Sequence, residues 1–220
     1  MADYTYEKKD TQKDQVPITT PLPQCTTITN DWHLMREYLT KRDLCMKTAQ
    51  YNNWYPSMDC GDWAIRIVIP AISCIPTHRY WQARAIDSQV EKRYTGPKGA
   101  RLDALIWCDS EEWVPQHQGK LVVAEGPMDA LAAASMGAVG CGLMGIRPNQ
   151  EALYHLSRRI QRHHINRVIM LADQDNIAGM MVLRKEIGLM GTEAKVVQPM
   201  PHKDFASIPA DERWQYLVGD

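Results

Sequence analysis

The chain has 220 residues, 45% of them hydrophobic, which is enough for a substantial core in one domain or in a domain with a satellite. The net charge of −1 does not by itself indicate binding to nucleic acid, and no apolar run approaches the ~20 residues of a membrane span. The six cysteines show neither a CxxC pair nor zinc-ribbon spacing, so we expect buried thiols, a cytoplasmic location and no zinc.

The chain is predicted to begin with an arm. Residues 1–30 are polar, include Pro17, Pro21 and Pro23, and show no apolar periodicity. Such a segment cannot bury enough apolar surface to fold by itself, so we expect it to be disordered or extended.

Residues 31–118 are predicted to form a small mixed α+β subdomain. Apolar residues at helical spacing indicate a helix over 32–42, and alternating residues indicate strands over 63–69 and 79–86. A turn is expected within 94–99. Basic residues outnumber acidic ones in the strand-rich part, so this subdomain should have a basic surface.

Residues 119–200 alternate between strand and helix patterns. The predicted strands cover 121–124, 138–143, 167–172 and 194–198, and the predicted helices cover 128–136, 149–163 and 177–190. This order implies right-handed crossovers, so the expected fold class is α/β, with a Rossmann-like parallel sheet flanked by helices. The remaining residues, 201–220, are expected to form a C-terminal tail or helix.

Carboxylates follow two of the predicted strands. Glu125 directly follows the first strand, and Asp129 falls in the first turn of the next helix. Asp173 and Asp175 follow the third strand and, in an extended segment, project to the same side. Ligands bind beyond the carboxyl ends of parallel strands, and Mg²⁺ or Mn²⁺ prefers carboxylate oxygens. The pattern predicts a divalent-metal site for phosphate chemistry, although any one of these residues alone is also typical of a helix cap or a solvated turn.

Two segments around these carboxylates resemble motifs of the TOPRIM domain. Residues 125–131, Glu-Gly-Pro-Met-Asp-Ala-Leu, look like its first motif, and residues 173–175, Asp-Gln-Asp, look like its DxD motif. TOPRIM domains occur in bacterial-type and phage primases, in type IA and type II topoisomerases and in related nucleases. The resemblance implies catalytic roles for Glu125, Asp173 and Asp175, and metal-binding roles for Glu125, Asp129, Asp173 and Asp175.

Four segments of the N-terminal half resemble the RNA polymerase core of bacterial and phage primases, in the same order. They are Tyr-Leu-Thr-Lys-Arg at 38–42, Arg-Ile-Val-Ile-Pro at 66–70, Gln-Ala-Arg-Ala-Ile at 82–86 and Lys-Arg-Tyr-Thr-Gly-Pro-Lys-Gly at 92–99. The resemblance implies a single-stranded DNA template and ribonucleoside triphosphates as partners. Basic residues are expected to bind the nucleic acid and the nucleotides, namely Arg66, Arg84, Lys92, Arg93 and Lys98.

The C-terminal part departs from the family pattern. Lys203 and Asp204 look like the start of the third TOPRIM motif, which adds Asp204 to the expected metal ligands. Ala206 stands where bacterial primases have a second aspartate. Neither a zinc-binding template-recognition module nor a helicase domain is seen in the sequence, so we expect a helicase or a template-recognition protein to be supplied separately, with the arm as its tether.

Three functions remain open at this point. The first is a DNA primase core that makes short RNA primers by Mg-dependent nucleotidyl transfer. The second is a metal-dependent nuclease of the TOPRIM type, and the third is a nucleic-acid-binding replication accessory protein with weakened catalysis. The arginines between 158 and 167 are interpreted only as an exposed helix face.

Overall fold

The computed structural model describes residues 21–62, 64–72, 79–97, 105–110, 119–143, 150–173 and 177–218. Its helices are α1 Thr29–Thr40, α2 Met46–Tyr51, α3 Pro127–Ser135, α4 Gln150–Arg162, α5 Ile177–Leu189 and α6 Ala210–Val218. Its strands are β1 Tyr55–Ser57, β2 Arg66–Ile72, β3 Arg79–Ala85, β4 Tyr94–Thr95, β5 Leu105–Cys108, β6 Lys120–Ala124, β7 Val139–Leu143, β8 Arg167–Leu171 and β9 Glu193–Val197. Predictions for residues 1–20, Trp63, Lys98 and Asp175 lie outside the described residues. Within these ranges, no helix has the length and the apolar character that crossing a membrane requires.

The described strands join one sheet in the order β4, β3, β2, β5, β7, β6, β8 and β9, with β1 paired to β2. β7, β6, β8 and β9 run parallel, which confirms the parallel sheet predicted over residues 119–200. The N-terminal strands are antiparallel and reach the parallel strands through β5. β5 is missing from the prediction because its four residues are all buried and show no alternation. The two halves share a sheet, and the predicted domain boundary at residue 118 stays a prediction.

Alternation along the parallel strands sends side chains to both faces of the sheet. Val122 and Ala124 of β6 are buried in the cluster that contains α3. Leu121 and Val123 of the same strand are buried in the cluster that contains α4 and α5. Strands covered on both faces need unbroken apolar runs, which is why β6 and β8 are so apolar.

Two glycines of β7 let α3 pack closely on the sheet. A Cβ on Gly140 would lie 2.7 Å from the carbonyl carbon of Ala130, so no side chain fits there. A Cβ on Gly142 would lie 3.2 Å from the backbone of Gly126, which immediately precedes α3. The missing side chains bring the start of α3, and with it Asp129, next to the edge of the sheet.

The described residues include the last part of the predicted arm, residues 21–30. α1 starts at Thr29, and the hydroxyl of Thr26 donates a 2.7 Å hydrogen bond to the buried carboxylate of Asp31 in its first turn. Residues 21–28 form neither helix nor strand, but the hydroxyl of Tyr55 donates 2.7 Å to the carbonyl of Pro23. This end of the arm is therefore docked on the folded protein.

Candidate catalytic cleft

A cleft of about 1060 Å³ opens at the carboxyl edge of the parallel strands. Its walls come from α1, from β3, from the start of α3 and from residues 203–209. Among the described residues, six carboxylates line it: those of Glu37 and Asp43, and a group of four, Glu125, Asp129, Asp173 and Asp204. Open α/β sheets bind their ligands at this edge, and all four residues are among the predicted site residues.

Glu125 and Asp173 come together because their strands are neighbours. Ala124 at the end of β6 pairs with Leu171 at the end of β8, so the residues that follow emerge side by side. The backbone N–H of Asp173 donates a 3.1 Å hydrogen bond to Oε1 of Glu125. The structure thus places these two residues in contact, whereas Asp175 lies outside the described residues.

Asp129 lies deeper than the other three carboxylates. It is 8% exposed, and its Oδ1 accepts a 2.8 Å hydrogen bond from the backbone N–H of Ala206. Burial, and then the negative charges of Asp204 and Asp173, raises the pKa of Asp129 to about 7. Asp129 therefore connects α3 to the segment after Asp204 and belongs to a dense group of acidic side chains.

The surroundings of Asp204 suit a cation. Its Oδ1 is buried and has no hydrogen-bond partner among the described residues, and such an oxygen is costly unless a donor or a cation meets it. Among all residues that the structure describes, no three His, Cys, Asp or Glu side chains are close enough together to enclose one ion. Mg²⁺ does not need such a cage, because it usually keeps several waters and binds one or two carboxylates together with substrate phosphates. The donors present therefore fit a hydrated divalent ion.

Arginine and tyrosine side chains form another wall of the cleft. Nε of Arg84 donates 2.9 Å to the hydroxyl of Tyr38, and the Arg84 guanidinium lies 4.7 Å from the centre of the Tyr94 ring. The guanidinium of Arg42 lies 5.2 Å from the centre of the Tyr38 ring. These contacts hold two cations near the carboxylates, where they can bind phosphate oxygens. Arg93 also lines the cleft.

Arg66 is not a surface residue, which corrects the prediction that it binds nucleic acid. Its side chain is fully buried, pairs with Asp62 at 2.5 Å and donates to the backbone carbonyls of Lys92 and Arg93. Because its donors are used inside the protein, Arg66 stabilises the fold instead. Lys92 is exposed but borders a different cavity, and Lys98 lies outside the described residues.

Arg213 shapes the cleft and is missing from the predicted site. It is 1% exposed and donates to the carbonyls of Arg42, Asp43 and Ala206 at 2.7, 2.8 and 3.0 Å. α6 thereby links the end of α1 to the segment next to Asp204. Arg213 is the one basic residue of α6, and a single basic residue on a short helix is typical of a solvated surface charge, so the sequence pattern did not identify it.

Comparison with solved structures gives the fold. No protein-family model matches the sequence, and no curated protein sequence matches it. The RNA polymerase domain of the primase DnaG from Mycobacterium tuberculosis is similar to this chain with a TM-score of 0.53 at 15% identity, over 84% of this chain and 73% of that one. A second similar structure comes from bacteriophage T7, and in it the lagging-strand DNA polymerase interacts with primase domains of two gp4 subunits bound to an RNA/DNA hybrid and dTTP. Its TM-score is 0.48 at 19% identity, over 76% of this chain and 80% of that one. That second score is too low to support the fold. The mycobacterial domain shows that this chain has the fold of a primase RNA polymerase core.

Proposed function

From the fold of a primase RNA polymerase core, we propose that this chain is the catalytic core of a DNA primase. It would join ribonucleoside triphosphates into short RNA primers on single-stranded DNA. The observation that carries the proposal is the contact between Glu125 and Asp173 at the carboxyl edge of the sheet, in a cleft that also holds Arg84.

The reaction would be a nucleotidyl transfer. The 3′-hydroxyl oxygen of the primer attacks the α-phosphate, the bond from that phosphorus to the bridging oxygen breaks, and pyrophosphate leaves. A hydrated divalent ion, held by one or two of the carboxylates of Glu125, Asp173 and Asp204, would lower the pKa of the hydroxyl and neutralise charge on the leaving group. Glu125 would alternatively accept the hydroxyl proton, and both roles stay open for it. Asp129 would keep the segment after Asp204 against α3, through its bond to Ala206.

The basic residues of the cleft would bind the substrates. Arg84 is held by Tyr38 and Tyr94, so it can bind a phosphate with little loss of side-chain freedom. Arg93 is exposed at the border of the cleft, where it can contact the template or the incoming nucleotide. A helicase or a template-recognition module would choose where primers start.

A nucleic-acid-binding accessory protein with weakened catalysis is the second candidate. Ala206 favours it, because its buried methyl group stands where bacterial primases have an aspartate. A protein of this kind would bind single-stranded DNA in the same cleft without joining nucleotides.

Product analysis separates the candidates. The full chain would be incubated with labelled ribonucleoside triphosphates, single-stranded DNA and Mg²⁺ or Mn²⁺. We expect labelled oligoribonucleotides from the wild type and from Asp211→Asn, a control at an exposed aspartate of α6, and none from Asp173→Asn. Shortened DNA would identify a nuclease instead, and binding without any product would identify the accessory protein.

A further inference from the structure

A second basic surface lies on α4, away from the cleft. It lines a hollow of about 450 Å³. We name it the α4 surface, and its members are Trp107, Tyr154, His155, Arg158, Arg159, Arg162 and His163.

The α4 surface lies across the sheet from the cleft. α4 packs on the face that buries Leu121 and Val123, whereas α3 packs on the other face. α4 ends near the amino edge of the parallel strands, where the backbone N–H of Asn166 donates 2.9 Å to the carbonyl of Gly119 just before β6. Arg162 is in the last turn of α4, near this amino edge, whereas the carboxylates of the cleft stand at the carboxyl edge, about 16 Å away along the five residues of β6. One nucleotide cannot contact both sites.

The aromatic rings of this surface hold its arginines in place. The Arg159 guanidinium lies 4.4 Å from the centre of the Trp107 ring and pairs with Asp109. Arg158 lies 5.8 Å from the centre of the Tyr154 ring and donates 3.1 Å to the Tyr154 hydroxyl. These are defined positions, unlike the loosely solvated face expected from the sequence.

Three exposed residues form a row along the helix. Tyr154, Arg158 and Arg162 are four residues apart, so they lie above one another on one side of α4. The Tyr154 ring is 54% exposed. Successive members of the row are about 6 Å apart along the helix axis, which is comparable with the separation of neighbouring phosphates in an extended strand.

The surface has an excess of positive charge. No carboxylate is among the described residues that line the hollow, and Asp109 beside it already pairs with Arg159. The pKa of His163 is lowered by burial and by the Arg159 guanidinium, as expected in a positive field. Arg158 and Arg162 therefore remain available for an anionic ligand.

We propose that the α4 surface binds single-stranded nucleic acid independently of the cleft. Arg158 and Arg162 neutralise two phosphates of one strand, and the exposed Tyr154 ring stacks on an unpaired base. An acidic protein segment would use the arginines equally well, but it gives no role to an exposed ring beside them. The binding does not depend on nucleotidyl transfer, so it stands whether or not the proposed function holds.

Salt-dependent binding tests the proposal. The affinity of the full chain for a fluorescein-labelled single-stranded DNA of mixed sequence would be measured by anisotropy over a range of salt concentrations. In the double variant Arg158→Gln/Arg162→Gln, the slope of log K against log salt should fall by about 1.4, because each phosphate contact of a single strand contributes about 0.7. Tyr154→Ala should weaken binding about fivefold or more without that change in slope.

A matched control removes the same charge elsewhere. Arg184→Gln/Lys185→Gln changes two exposed basic residues of α5 and should keep the wild-type slope. The α4 double variant should show the same decrease in slope when Asp173→Asn is also present. The decrease would then be independent of catalysis in the cleft. The proposal would be overturned by an unchanged slope in the α4 variant or by an equal decrease in slope in the α5 control. It would also be overturned if polyglutamate or duplex DNA competed as effectively as unlabelled single-stranded DNA.

Discussion

Replacing Gly140 by alanine should destabilise the protein and move α3. The new Cβ would collide with the carbonyl oxygen of Ala130 and would lie 2.7 Å from its carbonyl carbon and 2.9 Å from its Cα. These atoms belong to buried helix backbone and cannot rotate away as a flexible side chain would. Overpacking usually costs about 1–3 kcal/mol, and a collision with backbone places Gly140→Ala near or above 3 kcal/mol. Urea unfolding, monitored by circular dichroism, would measure this decrease in the free energy of unfolding.

The same substitution should lower activity in the molecules that fold. Ala130 is adjacent to Asp129, so a shift of α3 away from the sheet changes the acidic side of the cleft. A displacement of about 1 Å at a reacting centre costs on the order of 10²-fold in rate. Primer extension under conditions where the variant is fully folded would measure this effect.

Gly188→Ala is the matched control for Gly140→Ala. Nothing lies within 4 Å of a Cβ at Gly188, which is exposed near the end of α5. This change should raise stability by about 0.4–1 kcal/mol and leave primer extension unaltered. If Gly140→Ala unfolded at the same urea concentration as the wild type and kept full activity, the close packing of α3 on β7 would not be what positions the cleft.

Three further predictions concern the binding residues and the arm. Arg66→Met should destabilise the fold by about 3 kcal/mol in urea unfolding, because backbone carbonyls lose a buried charged donor. Arg84→Gln should instead mainly raise the apparent KM for the nucleotide. Equal unfolding midpoints for the two variants would contradict this difference between a structural and a binding arginine. Asp204→Asn should weaken Mn²⁺ binding, measured by electron paramagnetic resonance, on the order of tenfold, and unchanged binding would remove Asp204 from the metal site. Deleting residues 1–28 should lower the melting temperature, because it removes the contact at Pro23, and should impair initiation with the cognate replication proteins more than extension of a supplied primer. An unchanged melting temperature would show that this contact adds nothing.

The acidic part of the cleft could be predicted because local sequence determines it. An apolar run followed at once by a carboxylate indicates a buried strand with a ligand at its end, and the chain repeats this pattern at Glu125 and Asp173. Parallel pairing of β6 and β8 then brings the two ends together. The crossover rule gives the handedness of the connections, but the position of β8 next to β6 and not next to β7 is long-range information that the local pattern does not contain.

The basic part of the cleft could be predicted only in part, because motif position does not give side-chain direction. Arg66 and Arg84 both stand in strand motifs, yet Arg66 is buried against Asp62 and Arg84 reaches the cleft. The difference depends on register, which one strand cannot reveal. Arg213 depends on three carbonyls from distant segments, and the role of Arg158 depends on the tertiary position of α4.

Single-turnover extension of a supplied primer tests the central claim most directly. An RNA primer annealed to a DNA template would be mixed with excess protein, Mg²⁺ and only the next complementary ribonucleoside triphosphate. The wild type should lengthen each primer by one nucleotide and release one pyrophosphate per addition. Asp173→Asn should do neither, although its unfolding transition should match that of the wild type. Two results with the wild type and Mg²⁺ or Mn²⁺ would contradict the assignment of nucleotidyl transfer to this cleft. In the first the primer becomes shorter, and in the second the protein binds the primer and leaves its length unchanged.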